Sequence, residues 1–323
     1  MSEYANTKTR GRMVTLVFSA QALGLIVGPM VALALLAAGV DKDLAWRIML
    51  GLGALPAATV IYLRRRLPES PRWLARVKGE KEVAAKDLAS FSLGEIVVED
   101  PKDDIVKQPL SKYWLPLLGT AGTWFLNDYA YYGNTISTPL VLKHVAVHAS
   151  LVQNTAISFL IFVLSAAPGY FLSVALIDKI GHKFLQMLGF FMMGLAFFIL
   201  GMFPSIIHNF PLFVTLYGLS YFFAEFGPNT TTFVLSAEVF PVNVRTTAHG
   251  ISAGVAKIGA FIGAYFFPIL LKSLGLSHIF LVASAFSLAG LILTYIAITE
   301  PKGKSLEEVS QKDTTPSKPS TAT

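Results

Sequence analysis

Residues 184–224 read FLQMLGFFMMGLAFFILGMFPSIIHNFPLFVTLYGLSYFFA, with no Asp, Glu, Lys or Arg until Glu225. A helix needs about 20 apolar residues to cross the hydrocarbon of a bilayer, so this run is long enough for two crossings. Pro204 to Pro211, PSIIHNFP, supplies the turn between them. Working outward, the same charge-poor pattern recurs. It spans Arg12 to Asp41, Arg47 to Arg64, His144 to Ile177 and Ser273 to Thr299. Two more stretches carry one charge each: Tyr113 to Leu142 holds Asp128, and Thr246 to Leu271 holds Lys257. The pattern predicts an all-α membrane protein of eight transmembrane helices. They fall near residues 13–39, 45–63, 113–142, 151–177, 184–203, 211–235, 246–272 and 277–299.

Composition agrees. Of 323 residues 54% are hydrophobic and only 14% charged, against about 25% in soluble domains. There is no cysteine, which excludes a disulfide scaffold, a thiolate metal site and a Cys nucleophile. The first span is too long, and its flanks too polar, for a cleaved signal peptide.

The net charge of +6 comes from one side of the membrane. With the N-terminus inside, the inner segments hold Lys8, Arg10, Arg12, Arg64 to Arg66, Lys179, Lys183, Arg245 and the tail. The outer loops hold only Lys42, Arg47, Lys143 and Lys272. That asymmetry predicts a multi-pass protein of the cell membrane with both termini cytoplasmic. The basic excess faces anionic lipid, so nucleic acid is not needed as a partner. Residues 64–112 form the one sizeable soluble segment. Within it Arg72 to Ser90, interrupted only by Gly79, suits an amphipathic helix on the inner surface. Gln311 to Thr323, rich in Ser, Thr, Pro and Lys, reads as a disordered tail.

The chain repeats itself at an offset of 235. Glu3 and Arg10 match Glu238 and Arg245, and Gly24 and Gly28 match Gly259 and Gly263. Parallel repeats of this kind occur in transporters built from two similar bundles. On that alignment the first two helices correspond to the last two, and the four between residues 113 and 235 lack earlier partners. Both glycine pairs are GxxxG, which favours close helix packing in lipid.

Four loops carry a family resemblance: LPESPRWL at 67–74, DKIGHK at 178–183, EVFPVNVR at 238–245 and EPKGKSLEE at 300–308. They resemble the sugar-porter branch of the major facilitator superfamily. Within it the chain is similar to the phosphate:proton symporters through SEYANTKTRGRM at 2–13, WFLNDYAYYG at 124–133, FGPNTTTF at 226–233 and TAHGISAGVAKIGA at 247–260. The resemblance implies twelve helices in a whole family member, of which this chain matches the fifth to the twelfth. Residues 1–63 are then the remnant of an N-terminal bundle, 64–112 an interdomain loop, 113–299 a complete six-helix C-terminal bundle, and 300–323 a cytoplasmic tail. It also implies either an upstream start or a separate chain that supplies the remaining helices.

Asp128, Glu225 and Lys257 lie deep in their spans, where ionisable groups usually face a cavity or a partner and mark a transport route. The alternative is an ion pair that only locks helices together. Trp124, Asp128 and Tyr132 recur every four residues and share one helix face. By resemblance Gln21, Trp124, Asp128, Tyr132, Asn229 and Lys257 line a phosphate pocket. There Lys257 acts as a point charge, Gln21 and Asn229 as amide donors, and Tyr132 as a hydroxyl donor. Glu225, where the family usually has an amide, stands as a second proton site beside Asp128 or as a partner of Lys257. Arg10, Asp178, Lys183, Glu238 and Arg245 are expected to gate the inner side. Asn229-Thr230-Thr231 reads as a glycosylation sequon, but one inside a span. The six histidines show no metal spacing and read as solvated or interfacial.

The reading is therefore proton-coupled phosphate uptake by alternating access. A neutral Asp128 sits beside an anion held by Lys257, and an ionised one repels it. The alternatives are a symporter of a sugar or organic anion, and a transport-inactive chain or half of a split transporter. No metal or cofactor motif and no nucleophile–base constellation appears, so an enzyme is disfavoured. The implied partners are inorganic phosphate, protons and the bilayer.

Overall fold

A computed structural model of the chain describes residues 7–65, 69–80 and 109–312, together with residues 2, 5, 82, 83 and 86. The tail beyond residue 312, Glu3 of the repeat, and most of the stretch from residue 81 to 108 lie outside the described residues. Among the described residues there is no strand.

The long helices follow the charge-free runs. They are α1 (Arg10–Ser19), α2 (Gln21–Ala37), α3 (Lys42–Arg64), α4 (Trp114–Val145), α5 (Leu151–Ile180), α6 (His182–Met202), α7 (Phe210–Phe226), α8 (Pro228–Glu238), α9 (Val242–Leu274) and α10 (Leu276–Ala297). A short α11 (Leu306–Lys312) closes the described chain. Six segments are long and apolar enough to span by those criteria alone: α1 with α2, then α3, α5, α6, α9 and α10. The other two expected spans depart for a physical reason. In α4 the buried face is polar, with Thr120, Thr123, Asn127, Asp128, Asn134 and Thr138. The span expected over 211–235 is instead two pieces, each shorter than a crossing, broken at Gly227. The amphipathic helix expected across Arg72 to Ser90 is broken after Lys78 by Gly79, in the left-handed region at φ +79°; residues 82, 83 and 86 are again helical, and the rest of that stretch lies outside the described residues.

Caps set the boundaries. Ser150 and Gln153 form a reciprocal capping box at the start of α5. Asn209 accepts from the Leu212 amide at the start of α7, and Asp41 from Asp43 at the start of α3.

α9 packs most extensively on α4, α10 lies across α6 and α4, and α7 runs between α6 and α5. Together α4 to α10 enclose the main core of Tyr131, Phe162, Phe190, Phe213, Tyr217, Tyr221 and Phe280. Polar side chains tie the helices together in the low-dielectric interior. Gln186 donates to Thr294 at 2.9 Å and accepts from Thr231 at 2.8 Å, and Ser284 donates to the Gly194 carbonyl at 2.9 Å. Such bonds contribute about 0.6 kcal/mol each in membrane bundles.

The two GxxxG pairs part company. Gly259 and Gly263 on α9 press against the main-chain carbonyls of Phe125 and Tyr129 on α4. Gly24 and Gly28 on α2 have nothing within 4 Å, so the packing role expected of that pair is not met within the described chain. α1 lies on the C-terminal half of α5 and α2 on its N-terminal half, whereas α3 packs chiefly on α2. Only Ala22 of α2 and Ala45 of α3 are buried.

Candidate functional site

The seam between α4 and α9 places a carboxylate against an ammonium group. Lys257 Nζ donates to Asp128 Oδ2 at 2.9 Å, and lies 3.4 Å from the Tyr132 hydroxyl and 4.4 Å above the Tyr132 ring. Asp128 is fully buried, while the Lys257 side chain is 58% exposed. The ammonium therefore stands at the open edge of the pair, and the carboxylate lies behind it. Trp124 is buried beside them, edge-on to Phe233 at 6.1 Å. Three of the four-apart residues of α4 thus share a face with the ion pair, as their spacing requires.

Behind Asp128 a chain of amides runs inward. Asn127 Nδ2 reaches both Asp128 Oδ1 and Asn229 Oδ1 at 3.3 Å. Asn229 Nδ2 donates in turn to Glu225 Oε2 at 2.6 Å and to the Tyr170 hydroxyl at 2.9 Å. Glu225 and Asn229 flank the break at Gly227, one at the end of α7 and the other in the first turn of α8. The break is held open by Thr230, whose hydroxyl donates to the Glu225 carbonyl at 2.6 Å. It sits deep because Gly227 meets Gly189 of α6 backbone to backbone. Interrupted helices of this kind present bare backbone and polar termini inside a bilayer only where protein or water satisfies them.

A second polar cluster lies where the N-terminus of α1 meets the ends of α5 and α8 and the start of α6. Arg10 Nε pairs with Glu238 Oε1 at 3.2 Å, with both side chains buried. The Asp178 carboxylate accepts from the Gly11 and Arg12 amides at 3.0 and 2.8 Å, so an acid from α5 caps the N-terminus of α1. Glu300 does the same for α6, accepting from the His182 and Lys183 amides at 3.0 and 2.9 Å. Gly181, at φ +113°, gives that carboxylate room, since a Cβ there would stand 2.8 Å from Glu300 Oε2. Burial alone would raise the Glu300 carboxyl, but hydrogen bonding and charge from His182, with main-chain donors from Lys302 and His182, bring it down to about 2.

The residues singled out in the sequence fall into three groups. Trp124, Asp128, Tyr132, Asn229, Lys257 and Glu225 come together in one continuous network. Gln21 begins α2, half-buried, and makes no hydrogen bond to that network. Of the expected gate, Arg10, Asp178 and Glu238 bridge α1 to the later helices. Arg245 Nε donates to the Phe240 carbonyl at 3.0 Å, and Lys183 Nζ to the Tyr295 carbonyl at 2.8 Å, both within the later bundle.

The proposed pairing of Glu225 with Lys257 does not form, because Asp128 takes that position. The reading of every histidine as solvated or interfacial fails at His182. It is buried 3.6 Å from Glu238 and 3.4 Å from Glu300. Sequence reasoning also missed Asn127, Tyr170 and Glu300. Asn127 beside Asp128 in an apolar span was the available signal, while Tyr170 looked like any aromatic of a membrane helix.

Comparison with known proteins settles the family. The profile of the sugar (and other) transporter family matches residues 1–312. This chain belongs to that family. It is a multi-pass membrane transporter of the major facilitator superfamily. Among the family's members it is 35% identical over 351 residues to the probable inorganic phosphate transporter 1-6 of Arabidopsis thaliana, covering 96% of this chain and 68% of that protein. It is 35% identical over 364 residues to inorganic phosphate transporter 1-1 of the same plant, covering 96% and 69%. Its fold matches the proton:xylose symporter XylE bound to 6-bromo-6-deoxy-D-glucose with a TM-score of 0.80. The identity there is 20%, over 96% of this chain and 69% of that one.

Proposed function

We propose that this family member moves inorganic phosphate together with protons by alternating access. The observation that carries the reading is the Lys257–Asp128 pair, 2.9 Å apart in the membrane interior, with the lysine accessible and the carboxylate buried. An ammonium is a compact point charge suited to an oxyanion. A neutral sugar would call instead for several amides and aromatic faces around an uncharged cavity. The phosphate transporters among the relatives support the same choice.

The chemistry follows from charge. With Asp128 ionised, Lys257 is already neutralised, and an incoming phosphate meets a second anion. A proton on Asp128 removes that repulsion and frees the ammonium to hold phosphate, with the Tyr132 hydroxyl as a further donor. Coupling arises because the site holds both the proton and the anion or neither. Arg10, Asp178 and Glu238 act as the inner latch that opens and closes as the bundles rock. Both termini face the cytoplasm in this reading, in keeping with the basic inner segments.

The test is uptake of labelled phosphate by proteoliposomes holding the purified chain, with and without an inward proton gradient. Accumulation that requires the gradient supports the reading. Equal uptake in protein-free vesicles, or accumulation indifferent to the gradient, sinks it.

A further inference from the structure

We propose that Glu225 and Asp128 form one proton-loading unit, joined through the amides of Asn127 and Asn229, so that protonating one acid prepares the other. The inference rests on the reading of Asp128 and Lys257 as the anion site and extends it to a second, deeper carboxyl.

The geometry is directional. Asn229 points Nδ2 at Glu225 and offers Oδ1 to Asn127. Asn127 spends its Nδ2 on both Asn229 and Asp128, and its own buried Oδ1 has no hydrogen-bond partner. A buried amide oxygen left unbonded is costly, and a half-turn of the amide can recover that loss. The arrangement suits two ionised acids, since each accepts an N–H.

Consider a proton added to Glu225 Oε2, the oxygen that accepts from Asn229. That oxygen must now donate, and Asn229 Oδ1 can accept once that amide turns over. Asn229 then presents Nδ2 to Asn127, and Asn127 turns to receive it on the oxygen that was unpartnered. Asp128 Oδ1 thereby loses a donor. A carboxylate that loses a hydrogen bond takes up a proton more readily. The step is protonation alone: no bond other than O–H forms, and both protons come from solvent. The other titratable groups facing Glu225 are Tyr131 from α4, Tyr170 from α5 and Tyr221 from α7, and Lys257 reaches it only through Asp128. The tyrosine hydroxyls stay protonated across the working range and serve as fixed neighbours.

Two measurements on the purified full chain test this. The first needs no phosphate: pH-difference infrared spectroscopy of the C=O stretch of protonated carboxyls. The wild type is expected to show two buried bands that rise together as pH falls. Glu225→Gln removes one, Asp128→Asn removes the other, and Asn229→Leu keeps both but makes them titrate separately. A full complement of bands in Glu225→Gln, or bands that already titrate independently in the wild type, overturns the proposal.

The second is calorimetric binding of inorganic phosphate across pH. Each proton taken up with the anion steepens affinity by about tenfold per pH unit. The expectation is about hundredfold per unit in the wild type and about tenfold in Glu225→Gln. If both bind phosphate with the same slope, the phosphate reading stands and the paired unit falls. If the wild type binds no phosphate, the phosphate reading falls and the infrared bands still decide the paired unit.

Discussion

Gly259 of α9 lies against the main-chain carbonyl of Phe125 on α4, so closely that a Cβ at this position would overlap the oxygen. Phe125 is three residues before Asp128, and Gly259 two residues after Lys257. The glycine seam therefore sets the distance at which the ion pair forms. Gly263 repeats the contact one turn on, against Tyr129. Small residues that let two backbones meet are how membrane helices reach such separations without a solvent-driven core.

Gly259→Val should push α9 off α4. Overpacking of a close seam costs about 1–3 kcal/mol, and the displacement also lengthens the Lys257–Asp128 contact. The expected outcome is a lower unfolding midpoint in detergent together with loss of gradient-driven uptake. Gly24→Val on α2 has open space around it and should leave the midpoint of the isolated chain unchanged. Equal destabilisation by both substitutions contradicts the seam.

The Asp128–Lys257 pair predicts a non-additive pattern. Lys257→Gln leaves a fully buried carboxylate without its cation, and burial then favours the neutral acid. Asp128→Asn leaves an ammonium that is partly solvated already. Each single change should stop proton-dependent accumulation. The double change restores neutrality, so its midpoint should lie above that of Lys257→Gln while transport stays absent. Thermal unfolding of the three variants, beside uptake, measures this directly.

The proposed latch is open to a chemical test. Arg10 and Glu238 are both buried, and removing one partner of such a pair costs about 3–5 kcal/mol because the other charge is stranded. In a two-state transporter part of that cost is avoided by opening the latch. The chain has no native cysteine, so a single Thr15→Cys on the buried face of α1 reports access without background. Its labelling by a membrane-impermeant thiol reagent from the inner side should quicken when Glu238→Gln is added. An unchanged labelling rate means that the pair does not hold the inner side shut.

How much of this was legible in the sequence depends on the range of the contact. The spans were visible because charge is excluded over about 20 residues at a time, a local property. Asp128 and Tyr132, or Glu225 and Asn229, were visible as partners because four residues is one helical turn. The choice of Asp128 rather than Glu225 as partner of Lys257 was not, since it depends on which face of α9 meets α4. His182 was misread for the same reason: a histidine in a charged loop looks solvated until Glu238 and Glu300 close over it. The break at Gly227-Pro228 had a local signal in its two residues, but the run of apolar neighbours outweighed it in a reading based on charge.

Glu300 yields a prediction about pH. Its carboxyl is held at about 2, below its ordinary 4.5, by His182 and by the amides at the start of α6. A depressed carboxyl contributes stability that is fully present above the unfolded value. That contribution shrinks as pH falls from about 4.5 towards 2, where the folded chain also takes up the proton. The unfolding midpoint should therefore drop across this interval in the wild type. In Glu300→Gln the midpoint should start lower at neutral pH and fall less steeply through the same interval, because the amide carries no proton to gain. A variant that keeps the full acid slope would assign the loss to other carboxylates.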